Sequence, residues 1–416
     1  MRVLVPLVGL ALVAAQPPTL PPPFATPSVT KHPKVLGWPA GKTPKAPDGF
    51  AVTLYADGFD SPRWLYVLPN GDVLVAESRT LPPKDAKPEM KKGLEESKTV
   101  TGGSANRITL LRDADKDGKP EVRETFFAGL NQPLGMALVG DQLYVANTDA
   151  VVRFAYTAGA TKLDAKGTPV VYMPIGGYNN HWTRNLVAKP DGSKLYVSVG
   201  SASNVGEKGM KEEALRANVL EVNPDGTGLR VFAAGLRNPV GLAWEPKTGV
   251  LWTAVNERDG LGDDLVPDYI TSVRDGAFYG WPFAYFGPNE DPRRKGERPD
   301  LVAKTVAPDL PVGAHTASLG LCFSTGSTFP EKYRGGAFVG QRGSWNRSQF
   351  AGYRVAFVPF RDSRPAGPPE DFLTGFIAND TEVYGRPVCV CVAPDGALLV
   401  TDDASNRVWR VAPVAR

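Results

Sequence analysis

Repetition constrains this chain more than any other feature. Six times a hydrophobic segment runs into a turn and out again as a second short strand. These second strands read Val73-Leu74-Val75-Ala76, Leu143-Tyr144-Val145-Ala146, Leu195-Tyr196-Val197-Ser198, Leu251-Trp252-Thr253-Ala254, Ala337-Phe338-Val339-Gly340 and Leu398-Leu399-Val400-Thr401. Several turns between them, such as Pro69-Asn70-Gly71-Asp72, Pro190-Asp191-Gly192 and Pro394-Asp395-Gly396, carry hairpin chemistry. Successive repeats lie roughly 50 to 90 residues apart, which suits a four-stranded antiparallel blade with loops of variable length. The expected fold is all-β, a six-bladed β-propeller over residues 46–416. Spacing alone leaves seven blades or a large sandwich open. The longest gap holds Asp259 to Lys304, read as an insertion across one face, and Lys84 to Lys98 reads as a basic loop between blades.

Composition agrees with many short strands. The 416 residues include 44 glycines and 39 prolines, yet 42% are hydrophobic and 22% charged. That balance excludes disorder and collagen-like structure. A net charge of +3 gives no argument for nucleic acid.

Met1-Arg2 precedes an apolar run from Val3 to Ala15 that ends Val13-Ala14-Ala15. A basic start, a short hydrophobic stretch and small residues at its end form a cleaved secretory signal. The run is too short to span a bilayer, and no later run approaches that length. Residues 1–15 are therefore expected to be a signal peptide, 16–45 a Pro-rich extended linker, and the mature protein exported, periplasmic or secreted. Three cysteines, Cys322, Cys389 and Cys391, exclude a full disulfide framework. They read as buried thiols, with a bridge from Cys322 to one of the others left open.

Overlaying the repeats shows where chemistry can gather. At the starts of the first strands stand Arg63, Asn131-Gln132, His181 with Arg184, Arg237-Asn238, His315 and Arg386. After the second strands stand Glu77, Asn147, Ser201, Asn256, Arg342 and Asp402. In an antiparallel hairpin these two positions lie at the same end. If the hairpins are innermost, the polar residues ring one mouth of the central channel. The ring is rich in guanidinium: Arg63, Arg184, Arg237, Arg342, Arg347 and Arg386. Arginine forks match carboxylates, so the implied ligand carries several carboxylates or similar anions. A single arginine is as often one half of an ion pair; convergence is what argues for a site. Of the three histidines, His181 and His315 both fall on the ring, where an imidazole can take a proton near neutral pH.

The run from Gly177 through His181 to Leu186, followed by Gly235-Leu236-Arg237-Asn238-Pro239-Val240-Gly241, resembles the soluble quinoprotein sugar dehydrogenases, nearest the L-sorbosone dehydrogenase-like branch. Asn256-Glu257-Arg258-Asp259, Tyr279-Gly280-Trp281-Pro282 and Gly343-Ser344-Trp345-Asn346-Arg347 extend the resemblance over residues 48 to 413. It implies a propeller that binds pyrroloquinoline quinone (PQQ) and calcium at the channel mouth. It implies that His181 takes the proton of a sugar's anomeric hydroxyl while hydride passes to the quinone, and that Arg237 stabilises charge developing there. Arg63, Asn238, Arg342, Arg347 and Arg386 would help to hold the cofactor. Calcium would rest on backbone carbonyls of a loop that here reads Asn256-Glu257-Arg258-Asp259-Gly260, assigned to Glu257 and Arg258. The substrate would be a small sugar or sugar derivative. With no Cys-X-X-Cys-His for haem, electrons would leave through a separate, unidentified acceptor.

A second calcium candidate is Asp113-Ala114-Asp115-Lys116-Asp117-Gly118, with Glu124 at the twelfth position. Carboxylates at 1, 3, 5 and 12 with Gly at 6 follow the calcium-loop pattern. The alternative for Asp113, Asp115, Asp117 and Glu124 is a solvated acidic turn. Two other functions compete with the dehydrogenase. One is a calcium-dependent lactonase-like hydrolase, which would use Glu77, Asn147, Asn256 and Asp402. The other is a non-catalytic binding propeller.

Overall fold

Short β-rich runs separated by glycine turns build six four-stranded antiparallel sheets, five of them in chain order from the first strand outward. The structure is a computed structural model that describes residues 19–82, 87–164, 166–175 and 179–414. Blades 1 to 5 begin with Pro62–Val67, Met136–Val139, Arg184–Ala188, Pro239–Trp244 and Ser318–Phe323. Blade 6 begins with Pro387–Val392. The second strands Val73–Glu77, Leu195–Val199, Leu251–Val255, Ala337–Gln341 and Leu398–Asp402 are buried at every residue. A blade's interior strand is covered on both faces by its neighbours. It therefore reads as a continuous apolar run rather than an alternating one.

The first strands are innermost, where successive blades crowd around the axis. A Cβ on Gly320 of blade 5 would stand 2.3 Å from the Val388 carbonyl oxygen of blade 6. One on Gly241 of blade 4 would stand 2.6 Å from Leu319 oxygen of blade 5. Glycine is needed there because backbone meets backbone.

Blade 6 takes only three strands from the C-terminus. Its outer strand, Phe50–Ala56, comes from the N-terminal side and pairs with Arg407–Pro413 from Phe50↔Pro413 to Ala56↔Val408. That pairing closes the ring without an exposed inter-blade gap. The aromatic rings of Phe50, Phe329 and Phe372 pack edge to face behind it at 5.2–5.3 Å.

Three expectations are corrected. The segment read as a linker is docked over its described part. Lys34–Val35 pairs in parallel with Glu382–Val383, buried Trp38 donates to Asp402 at 2.8 Å, and His32 stacks on Trp345 at 5.4 Å. Proline kept it extended, but its aromatic residues found apolar surface. The basic loop contains a helix, Pro88–Glu96, whose Gly93 packs on His32. The insertion in blade 4 is not one block: it includes that blade's third strand, Pro267–Ser272, before a hairpin and the short helix Pro299–Lys304. The expected signal peptide lies outside the described residues. Among the described residues no helix is long and apolar enough to cross a membrane. All three cysteines are free thiols, and burial pushes the Cys389 thiol up to about 12.

Candidate active site

Antiparallel geometry gathers first-strand starts and second-strand ends at one mouth, as the overlay requires. His181 lies just before blade 3. Its Nδ1 stands 2.8 Å from the Ser201 carbonyl oxygen and 3.0 Å from Ser201 Oγ. A carbonyl can only accept, and the Ser201 hydroxyl is spent on Ser203 oxygen at 2.6 Å. Nδ1 therefore carries the proton and Nε2 keeps its lone pair. Burial, with Arg237 nearby, pulls the imidazole down to about 3, so it is neutral at physiological pH. Gly200 makes the approach possible: a Cβ there would lie 2.6 Å from His181 Cβ and 2.3 Å from Asn238 Oδ1.

Beside it, Arg237 is almost fully buried in a cup of oxygens. Nη1 donates to Glu257 oxygen at 2.6 Å, Asn256 oxygen at 3.3 Å and Asn256 Oδ1 at 3.4 Å. Nη2 donates to Asn204 Oδ1 at 2.9 Å and Asp259 Oδ2 at 3.3 Å, and Nε to Asn204 oxygen at 3.2 Å. Burial raises the Asp259 carboxyl, but Arg237 and His315 outweigh it and leave it below the usual carboxylate value.

Across the mouth, Arg63, Arg342 and Arg386 gather around one carboxylate. Asp403 accepts from Arg63 Nη1 at 2.6 Å and from Arg342 Nε at 2.8 Å. Arg386 donates to Thr99 Oγ1 at 2.8 Å. Burial pulls Arg342 down to about 9; Asp403 opposes this, while Arg386 and Arg63 press it further. Three guanidinium groups against one carboxylate leave the pocket electropositive. The Nε atoms of Arg63 and Arg386 and the Oδ1 of Asn238 are buried without a hydrogen-bond partner. Such atoms are costly to leave unpaired, and an anion with several oxygens would satisfy the two arginines.

Other ring residues turn into the scaffold. Arg184 is fully buried and donates to the His181, Thr183 and Pro174 carbonyls, so it props the loop carrying His181. Arg347 pairs with Asp264 at 2.6 Å and donates to the Ala314 carbonyl at 3.4 Å. The His315 ring is held between Gly262 oxygen at 2.8 Å and Asn346 at 3.0 Å. The Glu257 and Arg258 side chains pair with each other at 2.9 Å. The backbone carbonyls of this loop that Arg237 reaches are those of Asn256 and Glu257. Glu77 is spent on Arg107, and Asp402 on Trp38 and the Arg386 amide. The carboxylates a metal-dependent hydrolase would need are thus bound within the wall.

The outer acidic loop closes differently from the motif. Asp113, Asp115 and Asp117 converge with Glu121, whereas Glu124 sits on the following strand and pairs with Lys162 at 3.1 Å. The hairpin turns back too early for the twelfth position to reach. Sequence reasoning missed Asn204, Glu213 and Asp403. Glu213 accepts from Ala202 N at 2.7 Å and Ser203 N at 3.0 Å, fixing the loop that orients His181. None belongs to a motif; Asn204 and Glu213 lie in a loop beyond the strand ends, and Asp403 follows the overlaid Asp402 directly. Gly177 and Tyr178 of the quoted run lie outside the described residues.

A family model described as TrAA12-like matches residues 44–267 and 293–413. The chain belongs to that family. Its fold is shared with a solved Trichoderma reesei protein of carbohydrate-active enzyme family AA12 in a calcium structure (TM-score 0.70, 18% identity, 93% of this chain and 98% of that one). It is shared too with the holo PQQ domain of Coprinopsis cinerea pyranose dehydrogenase (0.69, 19%, 91% and 98%). The PQQ-bound aldose sugar dehydrogenase of Streptomyces coelicolor is a more distant match (0.57, 20%, 88% and 99%). In sequence, an uncharacterised protein of Borreliella burgdorferi is 28% identical over 292 residues, 68% of this chain and 76% of its own. The aldose sugar dehydrogenase YliI of Escherichia coli K12 is 29% identical over 199 residues, 46% of each chain. The resemblance to soluble PQQ-dependent sugar dehydrogenases is borne out at the level of family and fold.

Proposed function

We propose that the protein is an exported PQQ-dependent oxidoreductase that oxidises the C1 hemiacetal or aldehyde of a sugar or sugar derivative. One observation carries the reading. A neutral imidazole with a free Nε2 stands at the same mouth as three crowded guanidinium groups that retain unpaired buried nitrogen. Bound PQQ supplies an ortho-quinone that accepts hydride from the carbon being oxidised. Arg63, Arg342 and Arg386 hold its carboxylates, and Asn238 contacts it at the mouth. His181 Nε2 takes the hydroxyl proton, with Nδ1 kept protonated by Ser201 so that the ring cannot turn its donor to the substrate. Arg237 lies beside His181 and supplies positive charge where negative charge develops. Arg347, paired with Asp264, is left out of this set. Residues 1–15 direct export, and electrons pass to a separate acceptor. Calcium fits the Asn256 and Glu257 carbonyls only in exchange for the guanidinium that holds them here.

The test titrates apo-protein with PQQ, follows the cofactor's absorbance, then measures dye reduction with a panel of aldoses and aldosuloses. A saturable absorbance change and sugar-dependent reduction are expected. A spectrum identical to that of free PQQ, with no dye reduction, would overturn the reading.

A further inference from the structure

A second cavity lies on the flank of the propeller, lined by none of Arg63, His181, Arg237, Arg342 and Arg386. It measures about 470 Å³, within the range of roughly 300–1,000 Å³ usual for small-molecule sites. One wall is the outer strand of blade 4, Leu310–Ala314. The others belong to blade 5: the loop carrying Arg347 and Phe350, the start of Arg354–Val358, and the end of Glu370–Leu373 with the chain that follows. Gly352 lets that loop close against the turn between the blades, since a Cβ there would stand 2.5 Å from the Thr316 carbonyl oxygen.

The lining is in place before any ligand arrives. Buried Gln341 accepts from Arg354 Nε at 2.8 Å and donates from its own Nε2 to the Val312 carbonyl at 2.9 Å. Lys45 and Thr374 exchange backbone hydrogen bonds in both directions, at 2.9 and 2.8 Å. Walls fixed in this way cost a ligand little ordering. The charges in the lining are balanced. Arg354 Nη1 pairs with Asp371, and Arg347 Nη2 pairs with Asp264 at 2.6 Å. Each guanidinium already has its carboxylate, so nothing here calls for an anion. What the pairs leave over is hydrogen-bonding capacity. Arg354 Nη2 has no partner among the described residues, and the Asp371 side chain is 62% exposed. A hydroxyl group both donates and accepts, so neighbouring hydroxyls can answer a guanidinium and a carboxylate standing side by side. Phe350 and the exposed Ile377 add an apolar wall. A ring with hydroxyl groups at its edge and C–H groups on its face matches both surfaces.

We propose that this flank cavity is a saccharide-binding site separate from the mouth. Arg354 and Asp371 take paired hydroxyl groups of an uncharged sugar, and Phe350 and Ile377 carry its C–H face. The same loop reaches the mouth through Asn346, which bonds to His315 at 3.0 Å, so a bound saccharide lies one loop away from it.

The experiment is a titration of the full mature chain, free of cofactor, with maltose, cellobiose and glucuronate, followed by saturation-transfer nuclear magnetic resonance. Saturable binding of at least one of the two disaccharides, tighter than that of glucuronate, is expected. Asp371→Ala should weaken it roughly fivefold, the usual net worth of a hydrogen bond. Arg354→Lys, which keeps the charge and loses the planar fork, should weaken it as well. Ile377→Ala should do so by removing apolar contact, and the exposure of Asp371 and Ile377 lets both variants keep the fold. His181→Gln should leave disaccharide binding unchanged. Native affinity in all three flank variants, loss of binding in His181→Gln, tighter binding of glucuronate, or no binding of either disaccharide overturns the proposal. None of these outcomes touches the dehydrogenase reading, which the PQQ absorbance titration tests separately.

Discussion

His181 meets the scaffold with one nitrogen and the mouth with the other. Because Nδ1 is fixed on Ser201, His181→Gln is expected to lower kcat/KM roughly 10²- to 10⁴-fold, the usual worth of a positioned base. The PQQ absorbance titration should be unchanged, which separates loss of the base from loss of the cofactor. The same residue predicts a pH dependence of stability in the cofactor-free protein. Folded His181 resists protonation down to about 3, while the unfolded chain takes the proton near the ordinary imidazole value of 6.5. The unfolded state therefore binds more protons in that window, and stability falls as pH drops from 6.5 toward 3. With its edge partly exposed, the contribution is on the order of 1–3 kcal/mol. Urea unfolding at pH 7 and pH 4.5 should show a smaller loss in His181→Gln than in the native chain. His181 and Arg237 could be singled out in the sequence because both stand in a run of characteristic residues. Asp403, which two arginines share, was not: its side chain differs in role from its neighbour Asp402 only because alternate positions face opposite ways.

Loops and strands set the next level. The segment after Leu195–Val199 is folded around buried Glu213, whose oxygens receive the Ala202 and Ser203 amides and the Ser203 hydroxyl. All three partners are donors. Glu213→Gln turns an amide NH₂ toward one of them and is expected to cost about 1–3 kcal/mol in denaturant unfolding. It should also lower kcat with little change in cofactor affinity, because Ser201 would no longer hold the imidazole firmly. The hairpins themselves were legible residue by residue, since turn glycines and apolar runs act locally. The helix Pro88–Glu96 and the docking of the N-terminal segment were not, because both depend on partners far along the chain, Gly93 on His32 and His32 on Trp345.

At the scale of the molecule, the ring is closed by a strand from the N-terminal side. Deleting the chain through Ala56 removes the outer strand of blade 6 and leaves Arg407–Pro413 as a bare edge. Loss of thermal stability by at least about 5 °C and association in size-exclusion chromatography are expected. The six repeats, the all-β class and the end of each hairpin that collects polar residues could be read from residues alone, whereas the closed ring of six blades was only one of the arrangements that spacing allowed. The first three follow from local period and from the opposed directions of paired strands. Which of those polar residues face the mouth required the folded chain. Arg184 and Arg386 look alike in the repeat, yet one is spent on carbonyls of its own loop and the other joins a shared cluster. The cup around Arg237 is the extreme case, since it is made largely of backbone oxygens. A carbonyl has the same chemistry under every side chain, so nothing in residue identity marks it until the fold brings several together.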